Sequence, residues 1–338
     1  MATLKNKRIL ITGGSGFIAS HLTRRLVKEG AEVAIITKYN SIIDNIRLVD
    51  IWDKVHVMEA DIRNMDSLKQ ISVYKPQIIY HFAAYNHVGD SFLHVSEALD
   101  CNIKGTANVL DAYDDYEKFV YISTSESYGD QPQVPFEEEM IPQPVSPYSV
   151  GKYGGELYCR MKMENMKKPI VLLRPFNAFG PYQSPRAIIS EIIRDCLMGK
   201  TIRSTEGKQT RDFNYIENLV EGFVAAGESD KALGQLINLG SGREISIKDL
   251  ILTIHKETNS SSELKIGDLE YRPTEIWRMV AANQRAKELL GWESKISFEE
   301  GLRRTIEWYR IYLEQFGNKN SSLCALSNFL DQVAPIHV

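Results

Sequence analysis

A chain of 338 residues that is 43% hydrophobic and 25% charged is long enough for one large domain, or for two that share a cleft, with a sizeable core. Its formal net charge of −4 comes from 40 basic and 44 acidic residues mixed along the sequence, which excludes the concentrated positive face that nucleic acid requires. No apolar run approaches the ~20 residues that cross a bilayer, and "MATLKNKRILITGG" leads straight into a strand-like run, so a soluble chain without signal peptide or membrane partner is expected.

The first predicted strand is 8–12 (RILIT), and "ITGGSGFIAS" puts Gly13 and Gly16 directly after it, with Ala19 at the place of a third glycine. Glycines in such a turn let the backbone approach a pyrophosphate while the next helix N-terminus faces the anion; they also serve close packing. Following the first strand of an α/β pattern, the pair points to a dinucleotide. A helix over 17–29 stops at Gly30, and the second strand, 33–36, ends in "VAIITKYNS". An NAD-binding chain commonly carries an acidic residue here for the ribose hydroxyls. Thr37 and Lys38 stand in its place; a hydroxyl and a cation suit the 2′-phosphate of NADP, unless Lys38 is a solvated loop residue, so NAD and NADP both stay open. After the third strand, 55–59, Asp61 and Ile62 are positioned to bracket an adenine, the aspartate accepting from its amino group and Ile62 packing on its face.

Strands follow at 78–82, 119–122 and 170–173, with a long amphipathic helix over 93–116. The alternation implies an α/β fold, a Rossmann-type doubly wound parallel sheet covered by helices on both faces. Past about residue 175 come the Pro/Gly-punctuated stretches "RPFNAFGPYQSPRA" and "EYRPTE", with helices near 187–198, 213–227, 246–258 and 299–315. Irregular loops beside a rigid sheet usually build the substrate site. "QLINLG" at 235–240 is expected to return to the main sheet. A dinucleotide domain of 1–175, rejoined by 208–240, is then interleaved with a smaller α/β substrate lobe of 176–207 and 241–316. The tail 317–338 either docks as a short helix or stays disordered. Cys101, Cys159, Cys196 and Cys324 stand far apart, with no CxxC pair and no Cys/His cluster for a metal; they read as reduced thiols in a cytoplasmic compartment.

Two stretches carry chemistry. "STSESYG" at 123–129 closes the fifth strand with three hydroxyls and a carboxylate, more than a turn needs; Glu126, two residues after Thr124, projects from the same side of an extended strand end. In "PYSVGKYGGE", Tyr148 and Lys152 are four apart and share a helix face. A lysine cation and an oxidised nicotinamide both lower the phenol pKa from about 10, so that Tyr148 can take a hydroxyl proton near neutrality.

In order along residues 8 to about 310, "TGGSGFIAS", "DIRNMDSL", "IIYHFAA", "NIKGTANVL", "STSESYG", "SPYSVGKYGGE", "RPFNAFGP", "RDFNYIENLVEG" and "INLGSG" resemble the extended short-chain dehydrogenases/reductases of the nucleotide-sugar epimerase/dehydratase type. The resemblance implies that Gly13, Gly16, Phe17 and Ile18 meet the cofactor pyrophosphate and Asp61 and Ile62 the adenine. Phe82, Ala83, Ala84 and Asn102 would line the cofactor side. Thr124 matches the catalytic Ser/Thr, Tyr148 the base and Lys152 the lysine on the ribose, with a tightly bound, recycled cofactor. For the nucleotide-diphosphate sugar it implies Asn177, an arginine clamp at Arg211, and a second clamp at Arg272 and Glu275. Arg186 meets a substrate phosphate or sugar carboxylate, or else serves as a helix cap or surface residue. A homodimer paired through the 93–116 and 148–165 helices is also implied.

Members of this family share the first step, removal of the C4 hydroxyl proton with hydride transfer to the nicotinamide. A 4,6-dehydratase then needs a base over C5, and Glu126 is the expected one, unless its carboxylate only pairs with a neighbouring lysine. Rhamnose-pathway dehydratases have Asp-Glu at the positions of Ser125 and Glu126. Thr-Ser-Glu with "KYNS" and "RPFNAFGPYQSPRAI" resembles instead the GDP-mannose dehydratases and, more closely, the UDP-N-acetylglucosamine 4,6-dehydratases of legionaminic-acid pathways. The same triplet occurs in UDP-glucuronate decarboxylases. The expected order is dehydratase, then decarboxylase, then 4-epimerase; the alternative outside enzymes, a dinucleotide-sensing scaffold, has no use for Thr124, Tyr148 and Lys152 together.

Overall fold

The computed structural model describes residues 3–38 and 47–316. Six strands, β1 (Arg8–Thr12), β2 (Glu32–Thr37), β3 (Val55–Glu59), β4 (Ile78–His81), β5 (Lys118–Ile122) and β6 (Ile170–Pro175), join the Leu236–Leu239 segment in one parallel sheet. Its order is β3-β2-β1-β4-β5-β6 and then Leu236–Leu239. Every residue of β4 and β5 is buried, because helices cover both faces and no side of the strand turns to water.

The two-residue period sorts the core. Ile9, Ile11, Val33 and Ile35 pack with Leu22 and Leu26 of the Phe17–Lys28 helix on one face. Leu10, Ala34, Ile36 and Ile79 pack with Val109 and Leu110 on the other. From β1 the chain runs to β2 on one side and reaches β4 on the other. This reversal opens a crevice beyond the strand ends, where doubly wound sheets bind ligands.

The 93–116 segment is not one regular helix. Val95–Leu99 continues through a π-helical turn, Asp100–Lys104, into Gly105–Asp111. The widened turn carries Asn102 and lies against the Pro147–Met166 helix so closely that a Cβ on Gly155 would stand 2.5 Å from the Asn102 carbonyl oxygen. Hydrophobic spacing does not register such a turn, since its period stays near that of a helix. Short helices at Val88–Ser91 and Gln284–Leu290 were not anticipated, being too brief for periodicity to reveal.

Beyond β6 the chain builds two-strand pairs: Ala178–Phe179 with Asn214–Tyr215, Thr210–Arg211 with Ile245–Ser246, and Ile202–Ser204 with Leu264–Ile266. Helices Ile188–Leu197, Ile216–Glu228, Ile247–Glu257 and Phe298–Phe316 flank them. Among the described residues no helix is long and apolar enough to cross a membrane. The tail at 317–338, Cys324, and Tyr39 to Ser41 of "KYNS" lie outside the described residues.

Candidate active site

The glycine turn closes on the loop after β4. Gly13 has a φ of +66°, and a Cβ there would stand 3.0 Å from both Cα and N of Ala83, so only glycine lets the two loops lie this near. Gly16 caps the Phe17–Lys28 helix without a side-chain bond, and the first turn has no acidic residue. Its free N–H groups and positive dipole end suit an anion. Phe17 packs edge-on to His21 and Ile18 against the core. Gly13→Ala is expected to strain the left-handed turn by about 1–2 kcal/mol and to weaken binding of NAD and NADP; fluorescence titration with unchanged affinity for both would remove the cradle.

At the adenosine end Thr37 is buried and bonded to Ser15, Oγ1 to Oγ, at 3.1 Å. Lys38 is exposed, its Nζ 3.6 Å from Glu97 Oε1, which also receives Arg63 Nη1 at 3.4 Å. Arg63 Nε donates to both oxygens of Asp61, at 2.9 and 3.1 Å, and this bond holds the Asp61 carboxyl down at about 2. Ile62 departs from expectation. Its side chain is buried beneath Gly105, where a Cβ would come within 2.6 Å of Ile62 Cδ1, so it serves the core rather than an adenine face. Phe82 packs edge-on against Phe223 at 5.2 Å and Ala83 N donates to Thr12 Oγ1 at 3.1 Å, while Ala84 is half-buried. Asn102, also placed on the cofactor side, is 1% exposed. It pins the backbone of Tyr85 from both sides, accepting from its N at 2.7 Å and donating to its O at 3.0 Å.

β5 ends at Ile122, and Ser125–Tyr128 forms a 3₁₀ turn capped by Thr124, whose Oγ1 accepts from Glu126 N at 3.2 Å. The premise of an extended strand end is therefore corrected: a threonine hydroxyl caps a turn in preference to continuing the strand. The turn still gathers the expected groups. Tyr148 hydrogen-bonds the Thr124 side chain and feels the charge of Glu126. Ser125 is drawn away, its hydroxyl donating to Met279 Sδ at 3.3 Å.

The Pro147–Met166 helix starts where it does because Ser146 and Ser149 cap each other reciprocally and proline occupies the first position. Tyr148 N, an unpaired first-turn donor, finds Ser91 Oγ at 3.1 Å. Lys152 lies one turn on, 3% exposed, with Nζ 4.5 Å from the Tyr121 ring centre. The electrostatic expectation reverses in the chain alone. Burial pushes the Tyr148 phenol up to about 12, Glu126 adding to the rise and the Thr124 hydrogen bond opposing it. Burial also brings the Lys152 amine down to about 8. Desolvation is the largest cause for both groups.

Glu126 is partly open to the cleft but surrounded by protein. Desolvation raises its carboxyl above the ordinary value, Arg211 and Arg272 pull it down and Glu275 pushes it up. Arg211 Nη2 donates to Glu275 Oε1 at 2.6 Å and Nη1 to the Ile276 carbonyl at 2.7 Å. Arg272 Nε lies 3.9 Å from Glu275 Oε2. Both of those atoms, and Asn177 Oδ1, are buried without a hydrogen-bond partner. Buried polar groups are rarely left so, and the arginine N–H among them suits an anion.

Arg186 does not stand free. Its Nη1 and Nη2 donate to Asp90 Oδ2 and Oδ1, each at 2.9 Å. Asp90 follows Tyr85 and His87 in a segment the sequence reading left out, although it directly continues "IIYHFAA" at the end of β4, the position that singles it out. Missed as well was the support beneath the strand end. Glu156 takes Arg174 Nε at 3.0 Å and Nη2 at 2.8 Å, and Ser123 Oγ at 2.8 Å, while the Arg174 guanidinium lies 4.3 Å from the Tyr128 ring centre.

A doubly wound sheet with a glycine turn at its switch point, and a tyrosine and lysine one helical turn apart beside a turn-capping threonine, define a short-chain dehydrogenase/reductase. Residues 10–305 match the family model described as GDP-mannose 4,6 dehydratase. A dTDP-D-glucose 4,6-dehydratase of Bos taurus is 33% identical over 96% of this chain and 93% of its own length. A UDP-glucose 4-epimerase of Mycolicibacterium smegmatis is 32% identical over 90% of this chain and 98% of its own. The crystal structure of UDP-glucuronic acid 4-epimerase from Bacillus cereus, in complex with UDP-glucuronic acid and NAD, matches with a TM-score of 0.83 and 31% identity, covering 90% of this chain and 99% of that one. The chain belongs to the extended short-chain dehydrogenase/reductase family of nucleotide-sugar dehydratases and epimerases.

Proposed function

We propose that the protein is a nucleotide-sugar 4,6-dehydratase with a resident nicotinamide dinucleotide. The observation that carries this reading is Glu126, a carboxyl of raised proton affinity that shares the cleft with Tyr148. Gly13, Gly16 and the helix N-terminus, which has no side-chain cap, fit the pyrophosphate. When bound, the nicotinamide takes hydride from sugar C4 and returns it to C6. Tyr148 accepts the C4 hydroxyl proton, with Thr124 hydrogen-bonding the same oxygen. The C4 ketone acidifies the C5 proton; Glu126 removes it and passes it to the departing C6 hydroxyl, which leaves as water, and with hydride back on C6 a proton returns to C5, balancing the one Tyr148 took from the C4 hydroxyl. A carboxyl with raised proton affinity suits both halves of that exchange. Arg272, with an unpartnered buried Nε, meets the diphosphate together with Arg211.

The test is incubation with UDP-, GDP-, CDP- and dTDP-sugars read by mass. Loss of water from a hexose supports dehydration. Loss of carbon dioxide from a uronate, or a new stereoisomer of unchanged mass, replaces the reading with decarboxylation or epimerisation. Lys38 and Arg63 offer two cations and Asp61 and Glu97 two carboxylates near the ribose end, so titration with each dinucleotide separates NAD from NADP.

We also propose a homodimer. Phe92, Leu93, Val95, Val150 and Leu157 are exposed on or beside the Val95–Leu99 and Pro147–Met166 helices, a grouping of apolar side chains that favours a covered face. Light scattering is expected to give twice the mass of the chain; the mass of a single chain overturns the pairing.

A further inference from the structure

We infer that the Asp90–Arg186 ion pair is a charge lock that restricts the cleft to nucleotide sugars whose hexose is uncharged, which makes Asp90 a specificity-determining residue. The inference rests on the nucleotide-sugar reading and deepens it.

Relatives of similar likeness act on UDP-glucose or bind UDP-glucuronic acid, as their names state, and the two sugars differ by a carboxylate at C6. A site for the second needs a cation whose charge is not already met by a protein carboxylate. In this chain the three guanidinium groups around the cleft, Arg186, Arg211 and Arg272, are met by three carboxylates, Asp90, Glu126 and Glu275. Arg272 keeps a buried unpartnered Nε, which the diphosphate can use. Arg186 has both terminal nitrogens on Asp90 in fork-to-fork geometry.

The pair sits at the reacting end. Asp90 precedes Ser91, whose hydroxyl accepts from Tyr148 N, and His87 feels Asp90, Arg186 and Arg272 together. Asp90, in the Val88–Ser91 helix after β4, and Arg186, just ahead of the Ile188–Leu197 helix, are brought together from 96 residues apart. A sugar carboxylate recruiting Arg186 would have to displace the Asp90 carboxylate, whose side chain is only 19% exposed, and leave it without a counter-ion. A neutral hydroxymethyl group asks for no such exchange.

The measurement is calorimetric binding of UDP-glucose and UDP-glucuronate, and of the dTDP pair, to the protein loaded with its dinucleotide. The wild type is expected to bind the hexose more tightly. Asp90→Asn should shift the uronate-to-hexose affinity ratio toward uronate by about tenfold, the size of one charge-assisted hydrogen bond. Asp90→Glu should keep the wild-type ratio, and Asp90→Asn combined with Arg186→Gln should restore it. Arg186→Gln alone should lower uronate affinity below the wild-type value, because it leaves the Asp90 carboxylate without its guanidinium to repel a sugar carboxylate. An unchanged ratio in Asp90→Asn, a wild type that prefers uronate, or a rise in uronate affinity in Arg186→Gln each overturns the lock. Dehydration is judged separately by product mass, so a protein that removes no water from any hexose loses the functional reading while the binding ratio still decides the role of Asp90.

Discussion

Glu126→Gln is expected to cut formation of dehydrated product by about 10²–10⁴-fold, the usual contribution of a positioned proton-transfer group, while oxidation at C4 continues and the absorbance of reduced nicotinamide builds up. Undiminished product would remove Glu126 as the base. In the wild type, elimination should rise with pH through the raised Glu126 value, since the base must be ionised. Stability runs the other way. A carboxyl whose folded pKa lies above its unfolded value favours the fold while protonated, and that contribution is lost as pH climbs from the ordinary 4.5 through the raised value. Glutamine carries no such charge. The variant should therefore melt above the wild type at pH 7, the gap closing as the pH falls below the ordinary carboxylate range; equal melting temperatures at neutral pH would mean that Glu126 is not desolvated.

Glu156→Ala should destabilise the fold by about 3–5 kcal/mol, because it leaves the guanidinium of Arg174 buried without its counter-charge. Both side chains are 0% exposed, and Arg174 Nη1 already lacks a protein partner. Urea unfolding of the wild type and the variant measures the effect, and a cost under about 1 kcal/mol would show that the pair contributes little. Ser123 loses its acceptor in the same substitution, and with it the anchor one residue ahead of Thr124.

Much of the fold was legible because its signals are local. The aliphatic runs at 8–12 and 170–173 became strands, since a parallel sheet buried on both faces needs unbroken apolar segments. Gly13 and Gly16 announced the turn through their place after the first strand. Legibility ended where backbone geometry departs from regular periods: the π-helical turn at Asp100–Lys104 and the 3₁₀ turn at Ser125–Tyr128 carry Asn102 and Glu126, and both had been read as parts of regular elements. Ile62 looked like a ligand contact beside Asp61 and proved to be core, because the packing of Gly105 above it is invisible in the local pattern.

By itself the sequence determined the doubly wound sheet, the glycine turn and the triplet Thr124, Tyr148 and Lys152, since each depends on residue type and short spacing. Only the tertiary structure decided which charges are engaged and which are open. Arg186 belongs to Asp90, Arg174 to Glu156 and Arg211 to Glu275, and burial, not the neighbouring lysine, governs the Tyr148 phenol. Pairing and desolvation depend on what approaches from far along the chain, and electrostatic energies change with that burial far more than with the order of residues.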